Sequence, residues 1–353
     1  MQKLRFGIIG CGKIANRHAG IISILGDEAE LVAVCDTVEE KARRLGERYG
    51  ANWYLSANEM LKKERLDVVN ILTPNGDHAQ TLLNIVDKIG SIIVEKPMAL
   101  RLEDIDRAIE ACIKFKTNIF VVQQNRFNVP VKKLREAVEE NRFGKLVLGT
   151  VRVRWTRNQE YYDNDAWRGT WAMDGGVLIN QASHNIDLLT WMMGDVESVV
   201  AMSARRLLDI ETEDTIVASL RFRNGSLGVI EATIATRPKD LEGSISILGE
   251  NGTVEIGGYA ANEMKVWNFV DYQEGDESVL RRYRCNPKHP YGFAHHEYIK
   301  KAISLIREGK HCFTDGFICR RSLEVVNAIY DSAFIKKEVS LNYNTDTSKL
   351  VIR

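Results

Sequence analysis

The chain has no excess of either charge: 48 acidic residues are matched by 48 basic ones over 353 positions. That balance argues against a broad nucleic-acid surface or a polybasic membrane face, so an anionic ligand must be met by a local cluster of arginines. Long apolar runs are missing as well. None approaches the ~20 residues that cross a bilayer, and the chain enters a first strand by about Leu4 without a leader-like segment. The expectation is a cytoplasmic protein with neither nucleic acid nor membrane as partner. Cysteine is sparse: the six, at positions 11, 35, 112, 285, 312 and 319, form no C-x-x-C pair and no zinc-like spacing with histidine. Reduced, buried thiols are expected, with no disulfide and no metal site. Low-complexity segments and internal repeats are absent too.

What the chain does have is two textures. A length of 353 residues suits two domains by the usual ~150 residues each. Through about residue 124, short apolar strands (Leu4 to Ile9, Leu31 to Asp36, Val68 to Leu72, Ile92 to Val94, Ile119 to Val122) alternate with amphipathic helices. The helices are expected over Ile14 to Leu25, Glu39 to Tyr49, Asp77 to Ile89 and Leu102 to Lys116. This is the α/β pattern of a doubly wound parallel sheet. From about Lys145 long alternating strands take over, with one helix over Gly176 to Met193 and two late ones, near Phe293 to Arg307 and Arg321 to Ile335. An open antiparallel or mixed sheet with helices on one face follows, an α+β domain over residues 125–353 behind an α/β domain over 1–124.

The first motif lies between the first strand and the first helix, at Gly10-Cys11-Gly12-Lys13-Ile14-Ala15. Gly10 and Gly12 permit a tight turn and close approach of the backbone to a pyrophosphate over the helix N-terminus. Asp36 ends the next strand, 24 residues beyond Gly12, and can accept from both ribose hydroxyls while repelling a 2′-phosphate. A Rossmann domain binding NAD rather than NADP is expected. Lys96, in Glu95-Lys96-Pro97 at the carboxyl end of an apolar strand, would face the reacting end of such a cofactor.

In the second texture, Asn180 and His184 follow a glycine pair, Gly175-Gly176, and are four apart, which on one helix places them on one face a turn apart. A helical histidine is more often a hydrogen-bonded structural group, but here it comes with an amide and with a lysine in the other domain. A third cluster, Trp155-Thr156-Arg157, Tyr161-Tyr162 and Trp167-Arg168, offers guanidinium forks and phenols suited to phosphate, carboxylate and sugar. Tyr291 and His295, at the entrance to a late helix, are candidates to close the pocket.

Gly10-Cys11-Gly12, Thr73-Pro74-Asn75 with His78, Glu95-Lys96-Pro97, and the glycine pair leading to Asn180 and His184 together resemble the glucose-fructose oxidoreductase / inositol dehydrogenase family over essentially the whole chain. Gln124-Asn125-Arg126, Trp155-Thr156-Arg157, Trp167-Arg168-Gly169-Thr170-Trp171, Asn180-Gln181-Ala182-Ser183-His184 and Tyr291-Gly292-Phe293 resemble, more narrowly, its branch of UDP-N-acetyl-2-amino-2-deoxyglucuronate dehydrogenases. The resemblance implies NAD-dependent oxidation of the sugar 3-hydroxyl, on the way to bacterial surface polysaccharide. It also implies a homotetramer packed through the open sheet faces, and 2-oxoglutarate as a reoxidant of bound NADH. Carried over by position, Lys96, His184 and Asn180 would be catalytic, with His184 as base, because an amide at 180 cannot take the proton. Gly10, Cys11, Gly12, Lys13, Ile14, Asp36, Thr73, Pro74, Asn75, His78, Glu95, Lys96, Gln124, Trp167 and Arg168 would hold the cofactor. Lys96, Arg157, Tyr161, Tyr162, Arg168, Asn180 and His184 would meet a UDP-sugar. Two alternatives stay open: a dehydrogenase of another sugar (UDP-N-acetylglucosamine, inositol or a free sugar), and a non-catalytic NAD-binding regulator of the same fold.

Overall fold

In a computed structural model, which describes residues 2–284, 294–309 and 314–342, the early strands assemble into one parallel sheet of six. They are β1 (Leu4–Ile9), β2 (Ala29–Cys35), β3 (Asn52–Tyr54), β4 (Val68–Ile71), β5 (Ser91–Val94) and β6 (Asn118–Val121), in the order β3-β2-β1-β4-β5-β6. β4 and β5 read Val-Val-Asn-Ile and Ser-Ile-Ile-Val and are buried end to end, as strands covered on both faces must be. Helix Lys13–Ile24 turns Ala15, His18, Ala19, Ile21 and Ile22 inward at three- and four-residue spacing. Helix Glu39–Tyr49 begins with two acids, Glu39 and Glu40, and stops at Gly50 in the left-handed region (φ 68°). The order reverses at β1, so the loop at Gly10 opens at the sheet's switch point, where open α/β sheets bind ligands.

The second sheet has eight strands: β7 (Leu146–Arg154), β8 (Val196–Ala204), β9 (Thr215–Phe222), β10 (Leu227–Thr233), β11 (Glu242–Gly249), β12 (Gly252–Gly257), β13 (Glu263–Phe269) and β14 (Val339–Ser340). Their order is β13-β12-β11-β7-β10-β9-β8-β14. The sheet is mixed because β10 runs parallel to β7, with Ile230 opposite Val151. Alternation sets its two faces: on β9, Ile216, Ala218, Leu220 and Phe222 point inward while Val217, Ser219 and Arg221 are exposed. Helix Ser183–Met193 lies directly on β7, since a Cβ at Gly149 would stand 2.7 Å from Leu189 Cδ1 and from Met193 Cγ.

The chain forms two compact units, and they do not follow a single cut. One holds the residues up to Val122 together with the stretch from His295 to Arg320; the other holds Gln123–Ala294 and continues from Arg321. Where one helix is expected over Gly176 to Met193, the structure has two, Gly176–Asn180 and Ser183–Met193. The Val177 carbonyl accepts from the amides of both Gln181 (3.0 Å) and Ala182 (2.9 Å), and this wide turn ends the first helix. The Ala182 carbonyl then accepts from Asn185 (2.9 Å) and Ile186 (3.0 Å) and starts the second. Asn180 and His184 are therefore not one turn apart on a single helix, which corrects the reading from spacing.

Candidate active site

The glycine loop after β1 is built by contact with its own sheet. Gly10 has φ +94°, and a Cβ there would fall 2.6 Å from the Leu72 carbonyl carbon and 2.7 Å from the Thr73 nitrogen. Only glycine fits. A Cβ at Gly12, by contrast, would meet nothing within 4 Å, so this glycine leaves space over the start of helix Lys13–Ile24. That helix has no side-chain cap and no acid in its first turn, which leaves the amides at its start, around Lys13 and Ile14, as partial positive charge for an anion. The Cys11 amide donates to Asp36 Oδ2 (2.7 Å) and the Val38 amide to Oδ1 (2.8 Å), so the carboxylate is locked at the mouth of the loop. Burial, reinforced by the Asp36 charge, pushes the Cys11 thiol up to about 12, and it is a packing group there. These residues fit a dinucleotide: open space and bare amides for the pyrophosphate, and a fixed carboxylate for a ribose.

His78 ties two loops of the same unit together. Its Nδ1 lies 2.6 Å from the Pro97 carbonyl and its Nε2 2.8 Å from that of Thr73, while burial holds its pKa below the ordinary value. A neutral imidazole has one N–H, so it donates to one of these carbonyls at a time. Pro74 precedes the one-turn 3₁₀ segment Asn75–Asp77, and Asn75 is buried. Glu95 is buried directly before Lys96: His18 Nε2 lies 2.9 Å from its Oε1, His295 Nε2 3.5 Å from the same oxygen, and the Lys96 amide donates to Oε2 (3.2 Å). Burial alone would raise the Glu95 pKa, but the two imidazoles outweigh it and hold the carboxylate well below its usual range. His295, a candidate from the sequence to close the pocket, is buried against Glu95, where its ring supplies an N–H to an interior anion. Tyr291 lies outside the described residues.

In the second unit, His184 opens helix Ser183–Met193 and is buried, with the Gln124 amide nitrogen 2.9 Å from its Nε2. An amide N–H in that position makes Nε2 the acceptor. Three residues on, Asp187 takes a two-pronged bond from Arg126 (Nε to Oδ2 and Nη2 to Oδ1, both 2.7 Å) and a third from Ser322 (3.2 Å). The helix that holds His184 is thus pinned by a buried ion pair. Asn180 donates to Asp174, which also accepts from the Gly169 amide (3.1 Å). Gly175 and Gly176, with φ 82° and 87°, make the turn that leads in, and Glu213 and Tyr330 brace it: Val177 N–H to Glu213 (2.8 Å), Tyr330 hydroxyl to Glu213 (2.8 Å) and to the Gly175 carbonyl (3.1 Å).

The arginine cluster gathers around one phenol. Arg157 lies 5.3 Å from the Tyr161 ring centre, donates to Gln181 Oε1 (3.0 Å) and faces Asp240 (3.5 Å). Arg168 lies 4.3 Å from the same ring and 4.6 Å from that of Trp167, donates to the Tyr161 hydroxyl, and pairs with Asp165 (2.9 Å). Tyr162 is buried, its ring edge-on to Tyr161 at 5.1 Å, and burial pushes its hydroxyl pKa up. Sequence reasoning overlooked Gln181, Asp174, Arg126 with Asp187, and Glu213 with Tyr330. Two of these had a signal in the sequence: an acid three residues after His184, and an arginine inside the Gln124-Asn125-Arg126 run.

Residues 4–123 match an oxidoreductase family with an NAD-binding Rossmann fold, and residues 131–255 match a GFO/IDH/MocA C-terminal domain. Among solved structures, the chain is similar to the WlbA dehydrogenase of Bordetella pertussis in complex with NADH and UDP-GlcNAcA. The identity is 42%, covering 97% of this chain and 99% of that one, with a TM-score of 0.93. The WlbA dehydrogenase of Chromobacterium violaceum, in complex with the same two molecules, is 41% identical over 98% of this chain and 97% of that one, with a TM-score of 0.89. The myo-inositol 2-dehydrogenase of Thermotoga maritima is 26% identical over 91% of this chain and 96% of its own length.

Proposed function

The chain belongs to the GFO/IDH/MocA family of oxidoreductases, as an NAD-dependent dehydrogenase of sugar hydroxyl groups, and from that premise we propose that it oxidises the 3-hydroxyl of UDP-N-acetyl-2-amino-2-deoxyglucuronate to the 3-keto UDP-sugar. The observation that carries this reading is the full-length likeness to two dehydrogenases held with NADH and UDP-GlcNAcA. The Arg157 and Arg168 guanidiniums around Tyr161 support it, as charged forks suited to a pyrophosphate or a carboxylate. A row of outward apolar residues on the second sheet, Val200, Met202, Val217 and Val229, suits packing of sheet on sheet between subunits.

NAD in the loop at Gly10 to Gly12 supplies the hydride acceptor. The protein's own work is then to hold the sugar and to handle one proton. His184 takes the hydroxyl proton at Nε2 once the substrate hydroxyl displaces the Gln124 amide N–H, which occupies that nitrogen's one lone pair in this structure. Lys96, the other catalytic residue that the family resemblance implies, would serve as a cation that favours the anionic form of the reacting oxygen. Asn180, fixed by Asp174, orients the ring. A ketone at C3 is the group an amination step consumes, which suits a route to surface polysaccharide sugars. The test is incubation of the purified protein and NAD with a panel of UDP-N-acetylglucosaminuronate, UDP-N-acetylglucosamine, inositol and free sugars, followed by mass spectrometry. Loss of two hydrogens from the uronate is expected; loss from another member alone overturns the assignment.

A further inference from the structure

We propose that Asn70, His18 and Glu95 form a buried relay that positions Lys96, with His295 as a second imidazole on the same carboxylate; this rests on the reading that Lys96 serves the reacting oxygen. The chain of bonds has one direction. Asn70 Nδ2 donates to His18 Nδ1 (2.9 Å), which puts the imidazole proton on Nε2, where it donates to Glu95 Oε1 (2.9 Å). Glu95 Oε2 accepts the Lys96 amide (3.2 Å), so both carboxylate oxygens are acceptors and the group is an anion. Asn70 and His18 have no exposed surface, and Glu95 retains 8%. An interior anion is costly unless its bonds are complete, and this chain of bonds ends on the backbone amide of Lys96. From the other side, His78 lies against the carbonyl of Pro97 (2.6 Å). The three-residue turn is therefore held by imidazoles on both sides.

His18, Glu95 and His295 also present three ligand-type atoms within 4.8 Å of one another. Ligands of a tetrahedral zinc at ~2.0 to 2.2 Å stand about 3.3 to 3.6 Å apart; His295 and Glu95, 3.5 Å apart, meet that spacing, but His18 and Glu95, at 2.9 Å, are at hydrogen-bond distance instead.

The test is a double-mutant cycle on the NAD-loaded protein. Glu95→Gln, Lys96→Met and the pair are compared for kcat, for KM and for thermal midpoint. Glu95→Gln is expected to lower kcat by about ten- to a hundredfold, the scale of a misplaced reacting group. The loss should fall on kcat more than on KM for sugar or NAD. In the Lys96→Met background the same change should cost nothing further. Should Glu95→Gln fail to fold, Asn70→Leu, which leaves every charge in place, runs the same cycle. Losses that multiply in the double variant overturn the relay, as does one equivalent of metal in the purified protein that disappears in His18→Ala. The cycle runs on whichever sugar the wild type oxidises, so an inert UDP-uronate sinks the substrate assignment and leaves this test standing.

Discussion

Glu213 makes the stability of the second unit depend on pH in a direction opposite to that of most carboxylates. Its side chain is 5% exposed beneath the Gly175-Gly176 turn, and burial pushes its pKa up to about 7 against the bonds from Tyr330 and the Val177 amide. From the ordinary 4.5 to about 7, the linked free energy is roughly 3 kcal/mol. The folded state holds the extra proton in this interval, so the contribution is full below about pH 4.5, falls as pH rises, and is gone once pH has passed through about 7. Glu213→Gln carries the neutral form at every pH and keeps an oxygen for the Val177 amide and the Tyr330 hydroxyl. Urea unfolding of both proteins from about pH 5 to about pH 8 should show the wild type losing about 2–3 kcal/mol relative to the variant. Parallel stability profiles would mean that Glu213 does not take up a proton on folding in this pH range.

Three further outcomes follow from distances already given. Gly10→Ala places a Cβ 2.6 Å from the Leu72 carbonyl at φ +94° and should cost about 1–3 kcal/mol; NAD co-purifying with the protein, read by mass spectrometry, should vanish, and full retention contradicts the cradle. Asp36→Ser releases the Cys11 and Val38 amides and removes the charge that repels a 2′-phosphate. Calorimetric titration should show a weaker NAD complex and a smaller preference over NADP, and an unchanged ratio counts against the role. Arg126→Met leaves Asp187, 2% exposed, without its two-pronged partner, and chemical denaturation should register a loss of about 3 kcal/mol or more; a loss under about 1 kcal/mol would show that the pair does not hold the helix.

The first sheet was legible because its strands are buried on both faces and read as unbroken apolar runs, as in Ile92-Ile93-Val94. The exceptions are Asn52–Tyr54, three residues at the edge, and Ala57–Lys63, which buries only Met60; neither has enough apolar periodicity to register. On the second sheet alternation marked every strand but β14, which at two residues is too short to alternate, and the parallel pairing of β10 with β7 is a property of strand order that no local pattern encodes. The break between Asn180 and His184 escaped because Gln181 and Ala182 are compatible with helix; what ends the helix is the Val177 carbonyl taking two amides. Glycine motifs and the Glu95-Lys96-Pro97 turn announced themselves by residue type. Their supports, His18, Asn70, Arg126 and Glu213, did not, because a buried polar side chain takes its meaning from partners far along the chain, 77 residues away for His18 and Glu95 and 117 for Glu213 and Tyr330.

In the proposed reaction the hydride comes from C3 of a UDP-uronate and goes to bound NAD, and a substrate deuterated at C3 follows that atom. Mass spectrometry of the reduced cofactor should find the deuterium on the nicotinamide, alongside a 3-keto UDP-sugar. Reduced cofactor without deuterium, or a keto product that still carries it, would contradict the account.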